Sequence, residues 1–525
     1  MENNAFMAVD MKKESDEPNS YQEIFFRKDK DEWITAINNE LNNMKKMNVY
    51  TPIKKLPKGV NVISTRWVFK NKHDANGRVY KKKARLVARG FTQQYGIDYK
   101  ETFAPTLKQD TIRIITSIAA KNNYNIHQLD IKAAYLNAKL NEDIYMELPE
   151  GDDYQGMKYC KLNKALYGLK QAGRMWNDTL NEALIDMNFN RLLSEPCLYV
   201  KRNAYNKIIC LLGVYVDDIL ITGENKEILK VKRLLKDKFD ITDTGYVDFI
   251  VGIKFVKCKD GYLIHQKRYL NDIFKKFNIN KLKPCSNMIP INNKKLKEKP
   301  FNPTKYRQAV GNLLYLAICT RPDILFSVSK ASRKNQNPNY EDWFNVLKIF
   351  RYLKYTPNYG IKFSKHDNYN FEVYVDADLG GDPDTRKSTT GYVMTINSGP
   401  VSWYSKLQNT VAVSTAESEY YGIHECARQC LWYKNLFKEL NININNITIN
   451  SDNKAVIYNC ENETINLKSK NIDLKYHKIR ELVREGKIKL NYIKSEHNIA
   501  DGFTKYLNST LMSKFRNNIL SSFSN

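Results

Sequence analysis

The sequence predicts an α+β chain of several domains, built from mixed sheets with helices packed beside them. Three observations carry this reading. Stretches of helical and strand periodicity alternate through the first 260 residues in an order that suits an α+β layer better than a parallel βαβ sheet. Residues 208–223, IICLLGVYVDDILITG, read as two buried strands of a hairpin with Asp217 and Asp218 at its tip. Near residue 365 the composition changes, and strands and helices then follow one another in a compact mixed-sheet order.

At 525 residues the chain is too long for one domain, and 42% hydrophobic residues are enough for real cores. Lys and Arg number 83 against 57 Asp and Glu, a formal charge of +26 that favours a polyanionic partner, nucleic acid before anionic membrane. No apolar run is long enough to cross a bilayer, and residues 1–20 form a polar segment without a signal-peptide core. The nine cysteines contain no C-x-x-C pair and read as reduced thiols of a cytosolic or nuclear protein.

Residues 1–20 read as a flexible tail. From Tyr21 to Lys46 the spacing predicts a helix with Trp33, Ile37, Leu41 and Met44 on one face. Asn76-Gly77 between two strand-like runs predicts a hairpin whose second arm carries Lys81, Lys82, Lys83, Arg85 and Arg89, a clamp for phosphates or a solvated edge. Thr111–Lys121 has a helical stripe with Asp110 placed to cap it. Asn125–Asp130 is a short strand ending in a carboxylate, and Ile131–Leu140 is expected to continue as a helix, for which Asp130 would serve equally well as N-cap. A further helix covers about Met175–Met187, and Ile228–Phe239 is helical and basic.

Residues 261–360 are mainly helical, with a Pro- and Lys-rich linker near 281–303. After the boundary near 365, FEVYVDAD is a strand and GYVMTIN and VSWYSK form a hairpin across Asn397-Ser398-Gly399. Ser414–Leu440 is a helix, ITINSD a strand, Ile472–Glu485 a helix and KIKLNYIK a last strand.

Adjacent carboxylates in an apolar hairpin repel each other and resist desolvation, which a divalent cation with oxygen ligands would relieve; a plain Asp-Asp turn is the alternative. The surrounding motifs decide. RWVFK (66–70), KARLVARGFTQQYGIDYKETFAP (83–105), QLDIKAAYLN (128–137), KALYGLKQAGRMW (164–176), YVDDIL (215–220), TRPDI (320–324), YVDAD (374–378), RKSTTGY (386–392), STAESEY (414–420) and NIADGFTK (498–505) occur in this order. On them the chain resembles the reverse transcriptase–ribonuclease H part of a copia-type long-terminal-repeat retrotransposon polyprotein.

The resemblance implies a right-hand polymerase, with fingers and palm at 21–260, a helical thumb or connection at 261–365, an RNase H-like mixed α/β domain at 366–510 and a C-terminal tail at 511–525. It implies RNA- and DNA-directed DNA synthesis with degradation of the RNA strand of hybrids. Each active site would hold two magnesium ions, manganese being an alternative. Asp130, Asp217 and Asp218 would ligate the polymerase pair, and Asp376, Glu419, Asp452 and Asp501 the nuclease pair. Within the helix that carries two glutamates, Ser414 and Glu417 form a capping-box pair, whereas Glu419 begins the stripe that faces the sheet, so Glu419 is chosen.

For the substrate, Tyr135, five positions after Asp130, resembles the aromatic gate that excludes a ribose 2′-hydroxyl. Gln171 resembles a glutamine lining the nucleotide pocket, with a polar turn residue as the alternative. Lys83 and Arg85 resemble contacts to the triphosphate, and Tyr215 belongs to the site through the YVDD turn. Phe249–Lys254 occupies the place of a primer-gripping turn or a simple core strand. Where relatives carry a histidine before the last acid, this chain has Asn491, with His497 nearby.

The implied partners are an RNA template, a DNA primer–template, RNA–DNA hybrid and deoxynucleoside triphosphates, with a tRNA primer, the element's integrase and a homodimer as further expectations, and no membrane. The chain is expected to be the C-terminal part of its polyprotein or a separate reading frame, in a cytoplasmic virus-like particle or the nucleus. The rival is an element-derived nucleic-acid-binding protein that no longer catalyses. Asp243-Thr244-Gly245 spells an aspartic-protease triplet but follows a charged helix, and reads as a turn.

Overall fold

The structure is a computed structural model that describes residues 17–73, 78–154, 156–366, 368–444, 446–461 and 470–524. The predicted Asn76-Gly77 turn lies outside them, but its two arms, Thr65–His73 and Val79–Ala88, pair antiparallel. The predicted N-terminal helix is broken into a 3-10 turn, Gln22–Phe26, and an α-helix, Lys30–Lys46. Trp33, Ile37, Leu41 and Met44 are buried on its one face, which lies on the Val79–Ala88 strand.

A four-stranded sheet runs in the order Tyr50–Ile53, Tyr159–Lys164, Lys139–Glu147, Val62–Ile63. Beside it lies a six-stranded antiparallel sheet in the order Ile241–Tyr246, Ile126–Ile131, Asp218–Gly223, Ile208–Tyr215, Leu198–Arg202, Asn190–Arg191. The Ile208–Tyr215 and Asp218–Gly223 strands are central, hence their unbroken apolar sequence.

Four expectations need correction. Ile131–Leu140 is not a helix: Ile131 N–H donates to Asp217 O and Lys132 N–H to Asp240 O, so the chain is still sheet-bonded there. It turns at Ala133 (φ +48°) into a short 3-10 turn, Ala134–Asn137, and the strand Lys139–Glu147. Asp110 does not cap its helix, which starts at Gln109; it pairs with Arg113 instead. Asp243-Thr244-Gly245 is a bulged edge strand rather than a turn, held by Thr244 Oγ1–H to Gln128 O (2.9 Å) and Asp243 to Lys232 (2.7 Å). The expected tail 511–525 is structured over its described residues, 511–524: the helix Ser509–Ile519 buries Met512, Phe515 and Ile519, and Ser521–Ser522 pairs with Tyr359–Gly360.

The middle of the chain is helical at Pro303–Cys319, Leu325–Ser332 and Tyr340–Tyr355, but strands Gly261–His265 and Tyr359–Ser364 open and close it and pair with each other. A last sheet runs Gly399–Leu407, Thr389–Ile396, Phe371–Ala377, Ile447–Ser451, Ile488–Tyr492, its first three strands antiparallel and the last two added parallel. The helices Thr415–Glu439 and Lys470–Arg484 accompany it. The hairpin across Asn397-Ser398-Gly399 forms as expected, with Asn397 and Ser398 both at positive φ.

The C-terminal sheet does not hang free of the first. One hydrophobic core runs from Leu107 and Ile112 through the middle helices to Ile423 and Leu520. At its centre Arg113, 3% exposed, donates to the carbonyls of Val401 (2.8 Å), Ile318 (2.9 Å) and Cys319 (3.1 Å) and stacks its guanidinium over Trp403. Asp110, bound to Arg113, also accepts from Gln429 (3.1 Å). A second bridge ends the long helix, where Glu439 accepts the backbone N–H groups of Leu193 (2.6 Å) and Ser194 (3.0 Å).

Candidate active sites

Asp130 and Asp218 face each other as register partners on adjacent antiparallel strands, so their side chains share one face of the sheet. Asp217 is the second residue of the two-residue turn that Tyr215 and Asp218 close. Val216, the first, has φ +57°, a left-handed conformation unfavourable for a β-branched residue. Trp176, from the helix Ala172–Asp186, donates its indole N–H to Val216 O at 2.7 Å and braces that turn. Gln128, two residues before Asp130 on the same face, donates to Asp218 Oδ1 at 3.0 Å.

Burial raises the Asp130 carboxyl above its usual range and the Asp217 charge adds to this, while Lys83, Arg85 and Lys132 pull the other way. Asp218 is raised by burial too, with Asp217 and Asp130 adding to it and the Gln128 hydrogen bond opposing. Lys83 is lowered by burial and by Arg85, and it feels Asp130. The strand that carries these bases packs closely on a neighbouring loop: Gly168 (φ +93°) sits where a Cβ would lie 2.1 Å from Ala88 O. That contact presses the end of the basic strand against the loop holding Tyr167. Arg85 lies over the Tyr167 ring at 4.9 Å, and Tyr167 meets Tyr135 edge-on at 5.2 Å. The Tyr135 hydroxyl is raised by burial and then by the charge of Asp217, with Arg85 opposing. The Tyr215 hydroxyl is raised mainly by burial, with Cys319, Asp218 and Asp217 adding to it.

Gln171 is not brought to this group by its amide. It is 1% exposed, its Nε2 donates to Asp98 O (2.7 Å) and its Oε1 accepts from Gln93 (3.0 Å), so both ends are used inside the protein. The residues of 249–254 form a tight hairpin, Phe249–Ile250 against Ile253–Cys258, turning at Val251 and Gly252.

A second group of acids lies in the C-terminal sheet. Asp376 sits near the end of Phe371–Ala377, Asp452 one residue beyond the parallel neighbour Ile447–Ser451, and Asp501 in the 3-10 turn Ile499–Phe503. Oxygens of these three lie within 4.8 Å of one another, a spacing at which one cation could be shared. Glu419 lies within electrostatic reach of them from the helix Thr415–Glu439, whose Gly422 packs against Val375 and Ala377. Burial holds the Glu419 carboxyl well above its usual range, with Asp376 and Asp452 adding to it. Its Oε2 is buried without a hydrogen-bond partner. Glu417 accepts from Val413 N–H (2.8 Å) while its own N–H donates to Ser414 Oγ (3.2 Å), so it is engaged at the helix start.

Burial lifts Asp376 to about 7; Lys505 opposes this and Asp501 adds to it. Thr504 donates its hydroxyl to Asp376, Ser495 to Asp452 (2.5 Å), and Lys505 pairs with Asp501 at 2.9 Å. Four carboxylates, two of them (Glu419 and Asp501) with a buried oxygen that lacks a hydrogen-bond partner, form a donor set suited to a hard divalent cation. His497 stays outside, its side chain 66% exposed beside Glu496. Gln128, Trp176, Thr504, Ser495 and Lys505 were missed by sequence reasoning. All lie within or beside the motifs, but their roles depend on which strand or turn they face.

Residues 47–293 match the family described as reverse transcriptase (RNA-dependent DNA polymerase), a span that includes Asp130, Asp217 and Asp218. The chain is 38% identical over 503 residues to the retrovirus-related Pol polyprotein from transposon TNT 1-94 of Nicotiana tabacum, covering 93% of itself and 38% of that protein. It therefore spans well under half the length of that relative. It is 30% identical over 302 residues to the putative transposon Ty5-1 protein of Saccharomyces cerevisiae, covering 56% of itself and 97% of that protein. A foamy viral protease–reverse transcriptase structure in complex with dsDNA superposes with a TM-score of 0.46 at 12% identity, over 88% of this chain and 83% of that one.

Proposed function

The chain belongs to the reverse transcriptase family of retrotransposon Pol polyproteins, and from its two acid clusters we propose that it is an RNA- and DNA-directed DNA polymerase with a fused ribonuclease H. The observation that carries the polymerase reading is the in-register pairing of Asp130 with Asp218, with Asp217 at the adjoining turn and Lys83 and Arg85 within electrostatic reach.

Asp130, Asp217 and Asp218 would hold a pair of magnesium ions, with manganese as a substitute. Bound there, the ions would lower the pKa of a primer 3′-hydroxyl and neutralise charge on a triphosphate. The protein's own residues position the substrates. Lys83 and Arg85, two apart on one strand and so on one face, bind the phosphates of the incoming nucleotide. Tyr135, backed by Tyr167, closes the space beside the sugar and selects deoxynucleotides. Gln128 and Trp176 fix Asp218 and the turn before any substrate arrives, so little reorganisation remains for the reaction. Gln171 contributes by locking the base of this region.

Asp376, Glu419, Asp452 and Asp501 would hold the metal pair of the nuclease, where water is directed at the RNA strand of a hybrid. The orphaned Glu419 oxygen supports a ligand role. Template, primer and hybrid bind chiefly through phosphates, in keeping with a formal charge of +26 and with affinity that falls steeply with salt.

Primer extension on a poly-rA template with magnesium tests this function. Incorporation of thymidine nucleotides supports it. Folded, template-binding protein with no incorporation would favour the non-catalytic binding protein instead.

A further inference from the structure

Lys505 lies four residues after Asp501, and its backbone N–H donates to Asp501 O at 3.1 Å, folding the chain back over the acid cluster. Its Nζ is 2.9 Å from Asp501 Oδ1 and 3.9 Å from Asp376 Oδ2. Asp452 and Glu419 are also within reach of its charge. The neighbouring Thr504 hydroxyl holds Asp376 from the same turn. Among the described residues, this ammonium is the cation set among four carboxylates that otherwise repel one another. Yet its side chain remains 49% exposed, so it has room to leave.

We propose that Lys505 is the built-in counter-ion of the nuclease cluster: it neutralises the acids in the metal-free protein and gives way when divalent cations bind. The proposal rests on the ribonuclease H reading of this cluster. The physical reason is competition. A cation a few ångströms from two ligand carboxylates lowers their negative potential, and so weakens the pull on a second cation. In the metal-free state the same charge offsets repulsion that would loosen the junction of the Phe371–Ala377 strand with the Ile499–Phe503 turn. Once displaced, the flexible stem carries a positive charge at the rim of the site, where a hybrid phosphate would arrive.

Magnesium titration by calorimetry and thermal melts with and without magnesium test the idea. They are run on the full chain carrying Asp218→Asn to silence the other site. Lys505→Met keeps most of the stem and removes the charge. It is expected to bind magnesium at least about fivefold more tightly, since about 1 kcal/mol is the Coulomb scale for one charge at this distance even in water. Its melting temperature should fall in chelator and recover in saturating magnesium. Lys505→Arg keeps the charge and should restore weaker binding. Unchanged magnesium affinity in Lys505→Met, or equal loss of melting temperature with and without metal, overturns the proposal. If the Asp218→Asn parent itself neither binds magnesium nor cleaves hybrid, the ribonuclease H reading fails first, a result that is read before any lysine variant is compared.

Discussion

Trp176 donates its indole N–H to the carbonyl of Val216, and so a helix outside the acid cluster holds the strained residue on which the position of Asp217 depends. The hydrogen bond spans 2.7 Å, and Trp176 is buried. A β-branched residue at positive φ persists only where its surroundings over-determine it. Trp176→Phe keeps most of the packing and removes the donor. Leaving a buried carbonyl unpaired costs about 1–3 kcal/mol, an upper bound for this half-buried one. Primer extension should therefore slow by roughly tenfold, since about 1.4 kcal/mol is one factor of ten. Hybrid cleavage by the same protein should be unchanged. Equal losses in both assays would mean that the indole supports the whole fold rather than the turn.

Tyr135 packs its ring edge-on against Tyr167, and its hydroxyl feels the charge of Asp217. Tyr135→Val opens the space next to the sugar of an incoming nucleotide. Single-nucleotide incorporation kinetics should show discrimination against ribonucleotides reduced at least about tenfold, a loss of about 1.4 kcal/mol. Deoxynucleotide incorporation should fall far less. Unaltered discrimination would remove the tyrosine from the gate.

Arg113 joins the two large sheets through three backbone carbonyls, Asp110 and Trp403. Arg113→Ala removes a buried charge and leaves Asp110 with less compensation, at a cost of about 3–5 kcal/mol. The melting temperature should drop, and limited proteolysis should release a C-terminal fragment more readily. A variant as protease-resistant as the parent would show that the shared apolar core alone joins the two parts.

His265 provides a pH signature away from both acid clusters. Burial pushes its imidazole down to about 4, with Lys254 and Lys267 adding to this, and the ring stacks on Phe523 at 4.3 Å. Unfolded histidine titrates near about 6.5, so between those values the unfolded chain binds the extra proton. This group's contribution to stability is therefore full above about 6.5 and is lost as pH falls toward 4, with a slope of at most about 1.4 kcal/mol per pH unit. Melting curves of His265→Phe should show a shallower decline across that window. An unchanged decline would assign the acid sensitivity elsewhere.

The backbone around the acids was legible because acids that interrupt or end apolar strands stand out: QLD, YVDAD and ITINSD read as strands and form strands or strand ends, and YVDD reads and folds as the tip of a hairpin. That Glu417 is engaged at the helix start while Glu419 turns toward the acids was also legible, since helical spacing separates the capping face from the sheet face. The segment after Asp130 was not. Ile131, Ala134, Tyr135 and Ala138 fall at helical spacing, and nothing in the sequence reveals the sheet hydrogen bonds of Ile131 and Lys132 that override it. The C-terminal helix was missed because its partners, such as Phe503 for Phe515, lie elsewhere on the chain. Lys505 was passed over for a related reason. A lysine beside an acid usually marks solvated surface, and only the convergence of distant strands puts this one among four carboxylates.

The claim that two separate carboxylate cages serve two reactions is tested most directly by a crossed pair of variants assayed for both. Asp218→Asn should abolish primer extension and leave hybrid cleavage intact, and Asp452→Asn should abolish cleavage and leave extension intact. Loss of both activities from either single variant, in protein that melts like the parent, would contradict the division into two sites.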